Sequence, residues 1–322
     1  MWTHRLLAGA ALLLCLTFNA RAQSRQDIAA QLIGTWHLIS TTLTFPDGTM
    51  KADPQVGPQP AGYMMYTDTH HMCAIFLNPD RPKWQSPAMP TDQELRSTID
   101  GFGAYCGTYE VNTEQSYVLH HVELDRIPNN IGQTRKRFFT LSGNRLTLRI
   151  DPAQLPAGIA GTTIVWERVE NPATPAGDVS AQLVSAWRLV STTQGLADGT
   201  SRPNPALGPN QIGYMIYAGT HRMCAIFMNP ERPKWSSASS PTPQEAKSAL
   251  DGMGAYCATW EVNAEQASVV HHVELDRLPN AIGTTRKRFF TLNGNRLVLR
   301  VDPAELSGNI VSTTIVWDRI AN

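Results

Sequence analysis

The chain contains the stretch Leu119-His-His-Val-Glu-Leu-Asp-Arg126 and, 151 residues later, Val270-His-His-Val-Glu-Leu-Asp-Arg277. Alternating apolar and polar residues of this kind are typical of a β-strand with one buried face. The same offset places Trp36 on Trp187, and it holds without a gap from Leu32 to Arg168, with identical residues at most positions. Such a match indicates a tandem duplication, so both halves are expected to share one fold.

Short β-rich runs alternate with turn signals through the first half. Asp47-Gly48, Asn112 to Gln115 and Ser142-Gly143-Asn144 supply hairpin turns. About eight strands at near-even spacing predict an all-β protein built from two tandem antiparallel barrels. The predicted strands are Gly34–Thr44, Gly62–Tyr66, His71–Leu77, Ala104–Asn112, Tyr117–Leu124, Gln133–Leu141, Arg145–Ile150 and Thr162–Arg168.

A Pro-rich loop and a short helix interrupt this strand pattern. The loop is Asn78-Pro-Asp-Arg-Pro-Lys-Trp84, which has too much proline for a strand. Thr91-Asp-Gln-Glu94 is a capping box, and Leu95 and Ile99 follow at helical spacing. We therefore expect a short helix that ends near Gly101 and lies over one end of the barrel. The second copy carries the same signals in Thr242, Pro243 and Glu245.

The N-terminal residues predict export. Residues 1–22 combine charged His4-Arg5, an apolar run from Leu6 to Phe18 and an Ala20-Arg-Ala22 cleavage signal. Gln23 would then be the first mature residue, in the periplasm or outside the cell. No other stretch has the roughly 20 apolar residues of a membrane-spanning helix, so we expect no membrane insertion after cleavage.

The duplication also sets the domain boundaries. We expect one domain over residues 27–170 and a second over 178–322. Asp27 and Asp178 open matching helical turns before the first strand of each domain. The segment 171–177, Asn-Pro-Ala-Thr-Pro-Ala-Gly, is rich in proline and alanine and predicts a linker.

The charge balance excludes one class of partner. The chain has 27 Lys and Arg against 27 Asp and Glu, so it offers no excess of positive charge to a polyanion. The basic run Arg135-Lys136-Arg137 does not change this balance. We therefore expect no nucleic-acid partner.

Four cysteines remain after the predicted cleavage, an even number in a chain bound for an oxidising compartment. The offset places Cys73 on Cys224 and Cys106 on Cys257, so the simplest pairing joins Cys73 to Cys106 and Cys224 to Cys257. A reactive or metal-binding thiol pair is the rival interpretation, but the short C-x-x-C spacing is missing.

The paired histidines are the first candidates for chemistry. Alternation along the strand groups His120 with Val122 and Leu124, and His121 with Glu123. His120 could be a general base or a polar anchor among apolar walls, because imidazole titrates near neutrality. The sequence shows no nucleophile or partner acid, which favours a buried histidine with satisfied hydrogen bonds. His121 and Glu123 supply only two ligands, so no metal site is predicted.

Two further groups are candidates for ligand binding. Arg135 and Arg137 share a strand face and could hold a ligand carboxylate or form cross-strand ion pairs with Glu110 or Glu123 on the solvated face. The second interpretation is favoured, because it is the usual one for charged strand residues. Trp84 of the Pro-rich loop could line a ligand opening or pack on the helix.

Several of these motifs together resemble the bacterial and fungal lipocalin-like domain family. They are Gly34-Thr-Trp36, Gly62-Tyr-Met-Met-Tyr66, Ala104-Tyr-Cys-Gly-Thr-Tyr-Glu-Val111, His120-His-Val-Glu123 and Trp166-Glu-Arg168. The resemblance covers nearly all of both halves. It implies a calycin-type barrel, with the first-strand tryptophan under the last-strand arginine, and by analogy a small apolar ligand. The second copy departs from it by having Ser185 in place of Gly34.

We therefore predict an exported protein that binds a small apolar or amphipathic molecule in each barrel, without a cofactor. The predicted binding residues are Tyr63, Trp84, Tyr105, Tyr109, His120, Arg135 and Arg137 in the first half, and Tyr214, Trp235, Tyr256, Trp260, His271, Arg286 and Arg288 in the second.

Two alternatives stay open. One is an isomerase or cyclase that uses acid-base chemistry at His120 or His271, with Glu110, Glu261 or Tyr105 as the partner. The other is a non-catalytic interaction module with filled barrels, whose two domains pack as a pseudo-dimer.

Overall fold

The structure, a computed structural model, describes residues 28–86, 89–171, 179–237 and 239–321. The predicted signal peptide, nearly all of the predicted linker, and the cap residues Asp27 and Asp178 lie outside these ranges.

Within the described residues, the first half forms nine antiparallel strands. They are β1 Gly34–Thr44, β2 Met50–Ala52, β3 Ala61–Tyr66, β4 His71–Leu77, β5 Phe102–Asn112, β6 Tyr117–Asp125, β7 Thr134–Ser142, β8 Arg145–Ile150 and β9 Gly161–Arg168. The sheet order is β2-β1-β3-β4-β5-β6-β7-β8-β9, and β1 also pairs with β9. Eight strands therefore close an up-and-down barrel, as predicted.

The second half repeats this architecture. Its strands are β10 Ser185–Leu196, β11 Ser201–Pro203, β12 Ile212–Tyr217, β13 Arg222–Met228, β14 Met253–Asn263, β15 Ser268–Asp276, β16 Thr285–Asn293, β17 Arg296–Val301 and β18 Ile310–Arg319. Pairing between β10 and β18 closes the second barrel.

The sequence interpretation missed the short strands β2 and β11. Met50–Ala52 pairs with the end of β1 across the Asp47-Gly48 turn, and all three of its residues are exposed. A three-residue strand with no buried side chain has no apolar alternation, so it gives no strand signal.

One end of each barrel is closed around a tryptophan. The short helix α1, residues 28–32, precedes β1, and the Trp36 indole N–H donates to the Leu32 carbonyl at 2.8 Å. The Arg168 guanidinium lies over the Trp36 ring at 4.2 Å. This is the arrangement that the resemblance implied. Arg319 and Trp187 repeat it in the second half at 4.4 Å.

A β-bulge changes the facing of β6 near its end. Cys106 pairs with Leu124, but the next residue of β5, Gly107, pairs with Val122, so Glu123 is the extra residue. Beyond the bulge, Leu124 points out of the barrel instead of sharing the inner face with His120 and Val122. The predicted grouping of Leu124 with His120 is therefore wrong, because simple alternation does not include the bulge.

The predicted helix is present in both halves. It is α2 Asp92–Asp100 in the first half, with the Thr91–Glu94 capping box formed and Gly101 as the C-cap. In the second half α3 Val179–Leu183 precedes β10, and α4 Pro243–Asp251 repeats the capping box. The apolar faces of α2 and α4 pack against each other, with Leu95, Ile99 and Leu250 buried between them.

The disulfides join the predicted partners. Cys73 and Cys106 face each other directly across β4 and β5, with Cα atoms 4.1 Å apart, and Cys224 and Cys257 do the same in the second half. All four cysteines are fully buried in one apolar cluster that contains residues of both halves. The outer faces of the two barrels therefore meet where the disulfides lie.

Two buried arginines make reciprocal contacts between the halves. The Arg81 guanidinium donates to the carbonyl oxygens of Asp276 at 2.8 Å and Arg277 at 3.0 Å. Arg232 donates to those of Asp125 at 2.7 Å and Arg126 at 3.3 Å. Burial lowers the pKa of both Arg81 and Arg232 to about 10. Arg81 thus fixes the end of β15, and Arg232 fixes the end of β6.

Candidate functional site

The first barrel contains a cavity of about 520 Å³. It lies at the end opposite the Trp36–Arg168 stack, where β1, β4, β6 and β8 end and β5, β7 and β9 begin. This volume lies in the range of pockets that hold small organic molecules. Its walls are largely apolar and include Leu38, Met64, Phe76, Leu148, Ile164 and Trp166.

Polar side chains line the mouth of this cavity. They come from the loop after β2, from the 3₁₀ turn Pro128–Asn130, and from the segments that flank β7 and follow β8. An apolar interior with a polar rim suits a ligand that has an apolar body and one polar end. These polar side chains are Asp53, Gln55, Asn130, Gln133 and Gln154.

Two arginines of β7 also face this cavity. Arg135 and Arg137 pair in register with His120 and Val118 of β6, which puts them on the inner face of the sheet. Arg135 forms an ion pair with the buried Asp125 carboxylate at 2.5 Å and lies over the Tyr105 ring at 4.4 Å. The Arg135 charge is thus neutralised inside the site.

Arg137 has a different environment from Arg135. Its guanidinium donates to the Lys136 carbonyl at 2.9 Å and to the Gln154 amide oxygen at 3.3 Å. No carboxylate among the described residues forms an ion pair with it. Arg137 is partly buried, and this burial lowers its pKa. It is therefore a cation that a bound anion would stabilise.

A chain of three side chains runs beside the cavity. The Tyr66 hydroxyl lies 2.6 Å from Nε2 of His120, and the Tyr105 hydroxyl lies 3.0 Å from Nδ1. His120 is fully buried, and burial, followed by the nearby charges of Arg137 and Arg135, lowers its pKa well below its ordinary value. The imidazole is therefore neutral near pH 7, with one nitrogen donating a hydrogen bond and the other accepting one.

The geometry and the sequence repeat agree with a comparison to known protein families. A family model described as a lipocalin-like domain matches residues 33–169 and, separately, residues 184–320. The chain belongs to the lipocalin-like domain family. No curated protein matches the chain significantly.

Two solved structures share low similarity with the lipocalin-like chain. One is a protein of unknown function from Nostoc punctiforme, with 11% identity, a TM-score of 0.19, and coverage of 89% of this chain and 96% of that one. The other, from Bacteroides fragilis, is described provisionally as an outer membrane protein; it has 10% identity, a TM-score of 0.23, and coverage of 90% and 98%. Because both TM-scores are low, we draw no conclusion from either protein.

The lipocalin-like structure brings four predicted residues of the first half together. Tyr105, Arg135 and Arg137 line the cavity, and His120 lies behind Tyr105. The preferred interpretation of the two arginines, ion pairs on a solvated face, is wrong because the register of β6 and β7 turns them inward. The second barrel gives the same relative positions to Tyr256, His271, Arg286 and Arg288.

Tyr63 and Tyr214 lie on barrel strands but face away from the barrel interior, so they do not line a cavity as the sequence analysis predicted. Both lie in the apolar cluster between the halves. The Tyr63 hydroxyl accepts a hydrogen bond from Arg222 Nε at 3.2 Å, and the Tyr214 hydroxyl donates to the Glu123 carboxylate. Met64, the neighbour of Tyr63 along β3, faces the cavity instead. The error arose because both faces of β3 are buried, so the apolar pattern does not identify the inner face.

The two loop tryptophans pack on the helices and do not line the cavity. Trp84 is 6% exposed, and its indole N–H donates to Thr98 of α2 at 2.8 Å. Trp235 lies in the same cluster, but Ala249 stands where the first half has Thr98, and the Trp235 indole nitrogen has no hydrogen-bond partner among the described residues. Of the two interpretations of Trp84, packing on the helix is therefore correct.

Two further predicted aromatic residues lie deep in the barrels. The Tyr109 hydroxyl donates to the Thr67 carbonyl at 2.7 Å, and the Tyr109 ring packs edge-on against Tyr66. Trp260 occupies the matching place beside Tyr217 in the second half. Tyr109 is buried in the core of its barrel, outside the set of cavity-lining residues.

The predicted acid-base partners Glu110 and Glu261 point away from the barrel interior. Glu110 is 72% exposed and lies 3.4 Å from His121, while Glu261 lies 3.3 Å from His272. Neither contacts the buried histidine of its half, because neighbouring strand residues face opposite sides. Among the described residues, no group of three or more His, Cys, Asp or Glu side chains is placed to hold a metal ion. No helix in the described ranges is long and apolar enough to cross a bilayer.

Sequence reasoning missed most of the cavity mouth. Gln55, Asn130, Gln133 and Gln154 come from loops and strand ends far apart in the chain. Differences between the two copies were a usable signal, because the six apolar wall residues named above are identical in both halves while the rim residues differ. For these four positions the second half has Ala206, Ala281, Thr284 and Glu305.

Proposed function

We propose that the first barrel is a binding site for a small amphipathic molecule. The observation that carries this proposal is the 520 Å³ cavity, which has apolar walls and a polar mouth. Natural protein interiors are close-packed, so a space of this size inside a barrel is unusual unless something occupies it. The interpretation as a module with filled barrels does not fit the first half.

A substitution that fills the cavity tests this proposal. Ala74 is one of the residues that line the cavity. Leucine at position 74 would occupy part of the space, so Ala74→Leu should weaken binding of decanol at least about tenfold in calorimetric titration. Asp80→Asn, on the exposed Pro-rich loop, serves as the surface control. Unchanged decanol affinity in a folded Ala74→Leu variant would place the ligand outside the barrel.

Tryptophan fluorescence locates the ligand independently. Trp166 lines the cavity, and Trp317 is its counterpart. A ligand in the first barrel should change emission in the native chain and in Trp317→Phe, and the change should be reduced in Trp166→Phe. An identical response in both variants would contradict binding beside Trp166.

An acid-base enzyme is the second candidate, and one observation favours it. Tyr105 lines the cavity and is hydrogen-bonded to His120, so a proton could pass between a ligand and the buried imidazole. His120→Gln distinguishes a catalyst from a carrier. Loss of turnover with unchanged ligand affinity would favour the enzyme, whereas unchanged turnover would exclude His120 as its base.

We also propose that the mature protein works outside the reducing cytosol. Two buried disulfides support this, because such bonds persist in oxidising compartments. The charged start, the apolar run and the Ala20-Arg-Ala22 signal together support export by a cleaved signal peptide. Expression of the full sequence in a bacterial host and N-terminal sequencing of the periplasmic product should give Gln23 as the first residue. Retention of the product in the cytoplasm would contradict export.

A further inference from the structure

The two barrels hold the same arginine in different electrostatic surroundings. Arg137 of the first half and Arg288 of the second occupy equivalent positions on β7 and β16. The residue that contacts each arginine differs, because Gln154 is replaced by Glu305. A neutral amide in one barrel is therefore a carboxylate in the other.

The two contacting side chains occupy equivalent positions. Gln154 Oε1 accepts from the Lys136 backbone N–H at 2.9 Å, and Glu305 Oε1 accepts from the Lys287 N–H at 2.8 Å. The free oxygen of Glu305 then binds the Arg288 guanidinium at 2.7 Å. Gln154 instead donates its amide N–H to the Thr134 carbonyl at 2.9 Å. The substitution thus neutralises one arginine without changing the backbone contact.

The other charged side chains near the two arginines do not supply Arg137 with a carboxylate partner. Arg135 pairs with Asp125 in the first barrel, and Arg286 pairs with Asp276 at 2.6 Å in the second. Asp53 is an additional carboxylate at the first mouth. Burial raises the pKa of Asp53 and the Gln55 backbone N–H lowers it, and neither arginine of β7 contributes. Among the described residues no ion pair joins Asp53 to Arg137, and Asp151, whose charge also acts on Arg137, pairs with Lys136 at 3.3 Å.

We propose that the first barrel selects amphiphiles with a carboxylate head group, which Arg137 binds, and that Arg288 cannot take the same role because Glu305 neutralises it. This inference rests on the proposed function of the first cavity. An arginine that lacks a carboxylate partner gains a charge-assisted hydrogen bond from a ligand carboxylate. Arg288 has that partner already, and a second carboxylate beside Glu305 would meet like-charge repulsion.

Decanoate and decanol are suitable probes, because they share an apolar chain and differ in head group. Calorimetric titration of the full mature chain should give one decanoate site, with decanoate bound more tightly than decanol. Arg137→Gln should weaken decanoate about 10- to 100-fold and leave decanol nearly unchanged, because only the charged contact is lost. Arg149→Gln, on the exposed face of β8, is the control for loss of a positive charge.

Exchange of the contacting residues tests the assignment without removing an arginine. Gln154→Glu should neutralise Arg137 and weaken decanoate about tenfold. Glu305→Gln is the matched control, because it changes the same position of the second half and should leave decanoate affinity in the first barrel unchanged. Both positions are exposed, so both variants should keep the melting temperature of the parent.

The outcomes separate the inference from the proposal beneath it. If neither decanoate nor decanol binds, the proposed function itself fails. If decanol binds as well as decanoate, or if Arg137→Gln leaves the preference for decanoate intact, the carboxylate assignment is overturned while the cavity proposal stands. Equal losses of decanoate affinity in Gln154→Glu and Glu305→Gln would overturn the assignment of the carboxylate site to Arg137.

Discussion

Asn129 and Trp235 belong to different barrels and are joined by two hydrogen bonds. The Trp235 backbone N–H donates to Asn129 Oδ1 at 2.8 Å, and the Asn129 amide donates to the Trp235 carbonyl at 3.0 Å. Asn280 and Trp84 repeat this contact in the opposite direction at 2.7 and 2.9 Å. Since Asn130 lies at the first cavity mouth, the second half helps to hold the rim of the first barrel.

We expect Asn129→Ala to destabilise the protein and to weaken ligand binding in the first barrel. Two hydrogen bonds to backbone groups are lost, which should lower the free energy of unfolding by about 1–3 kcal/mol. Decanoate affinity should fall as well, because the neighbouring rim residues Ile127 and Asn130 are released. Urea unfolding and calorimetry measure the two effects.

The matched control for Asn129→Ala is Asn280→Ala. It removes the reciprocal contact, so it should cost similar stability but leave decanoate affinity unchanged, because it releases the rim of the second barrel. Equal losses of affinity in both variants would show that stability alone, and not the rim, controls binding.

Local signals were enough to predict the fold. The capping box at Thr91 and the turn residues gave the helix and most strand boundaries, because these features act within a few residues. The duplication gave the disulfide pairing, because an intradomain bridge must recur at the same offset. The bulge at Glu123 was missed, because nothing in the alternation of β6 marks an inserted residue.

The site was predicted less completely, because its residues depend on long-range register. Arg135 and Arg137 were correctly singled out but placed on the wrong face, since the sequence does not give the pairing of β6 with β7. Tyr63 was placed inside the barrel, because burial of its face depends on the other half of the chain. Rim residues such as Gln154 come from loops, where no periodic pattern exists.

We expect removal of one disulfide to reduce stability substantially. The Cys73–Cys106 bond spans a sequence separation of 33 residues. Replacement of both cysteines by serine should lower the free energy of unfolding by about 3–4 kcal/mol, mainly by freeing the unfolded chain. Urea unfolding under non-reducing conditions measures this loss. Cys224→Ser with Cys257→Ser is the matched pair, and a reduced parent as stable as the oxidised one would contradict the expectation.

Stability should fall as the pH drops below neutrality because of the buried histidines, chiefly the fully buried His120 and His271, with His71 acting in the same direction. Burial depresses the folded-state pKa of His120 and His271 below their ordinary value of 6.5. The unfolded chain therefore binds protons that the folded chain does not, so the stabilising effect is complete above about pH 6.5 and declines below it. Between pH 7.5 and 5.5 each histidine should cost about 1 kcal/mol.

Replacement of the two histidines tests this pH dependence. The double variant His120→Gln with His271→Gln should reduce the dependence of the unfolding free energy on pH between 7.5 and 5.5, and His71 accounts for part of what is left. His121→Gln with His272→Gln, on the outer faces of the same strands, should leave the slope as in the parent. If the unfolding free energy of the His120→Gln, His271→Gln variant depends on pH as steeply as that of the parent, other titratable groups cause the dependence.

Asp53→Asn should stabilise the protein at neutral pH and strengthen decanoate binding. Burial raises the pKa of Asp53 above its ordinary value of 3.8, so its carboxylate destabilises the folded state once the pH exceeds that range. The second half shows that asparagine fits, because Asn204 accepts the Ala206 N–H at 3.0 Å just as Asp53 accepts that of Gln55 at 2.9 Å.

The gain in unfolding free energy should be about 0.5 kcal/mol at pH 7 and should shrink toward pH 3, where the parent carboxyl is protonated in both states. Decanoate should bind more tightly, because an anion is lost from the cavity mouth.

Asp47→Asn is the control, and it should change the unfolding free energy in the opposite direction. Hydrogen bonds from Thr49 lower the pKa of Asp47, so its loss should reduce stability at pH 7. Lower stability in Asp53→Asn would show that the Asp53 carboxylate has a compensating partner when the chain is folded.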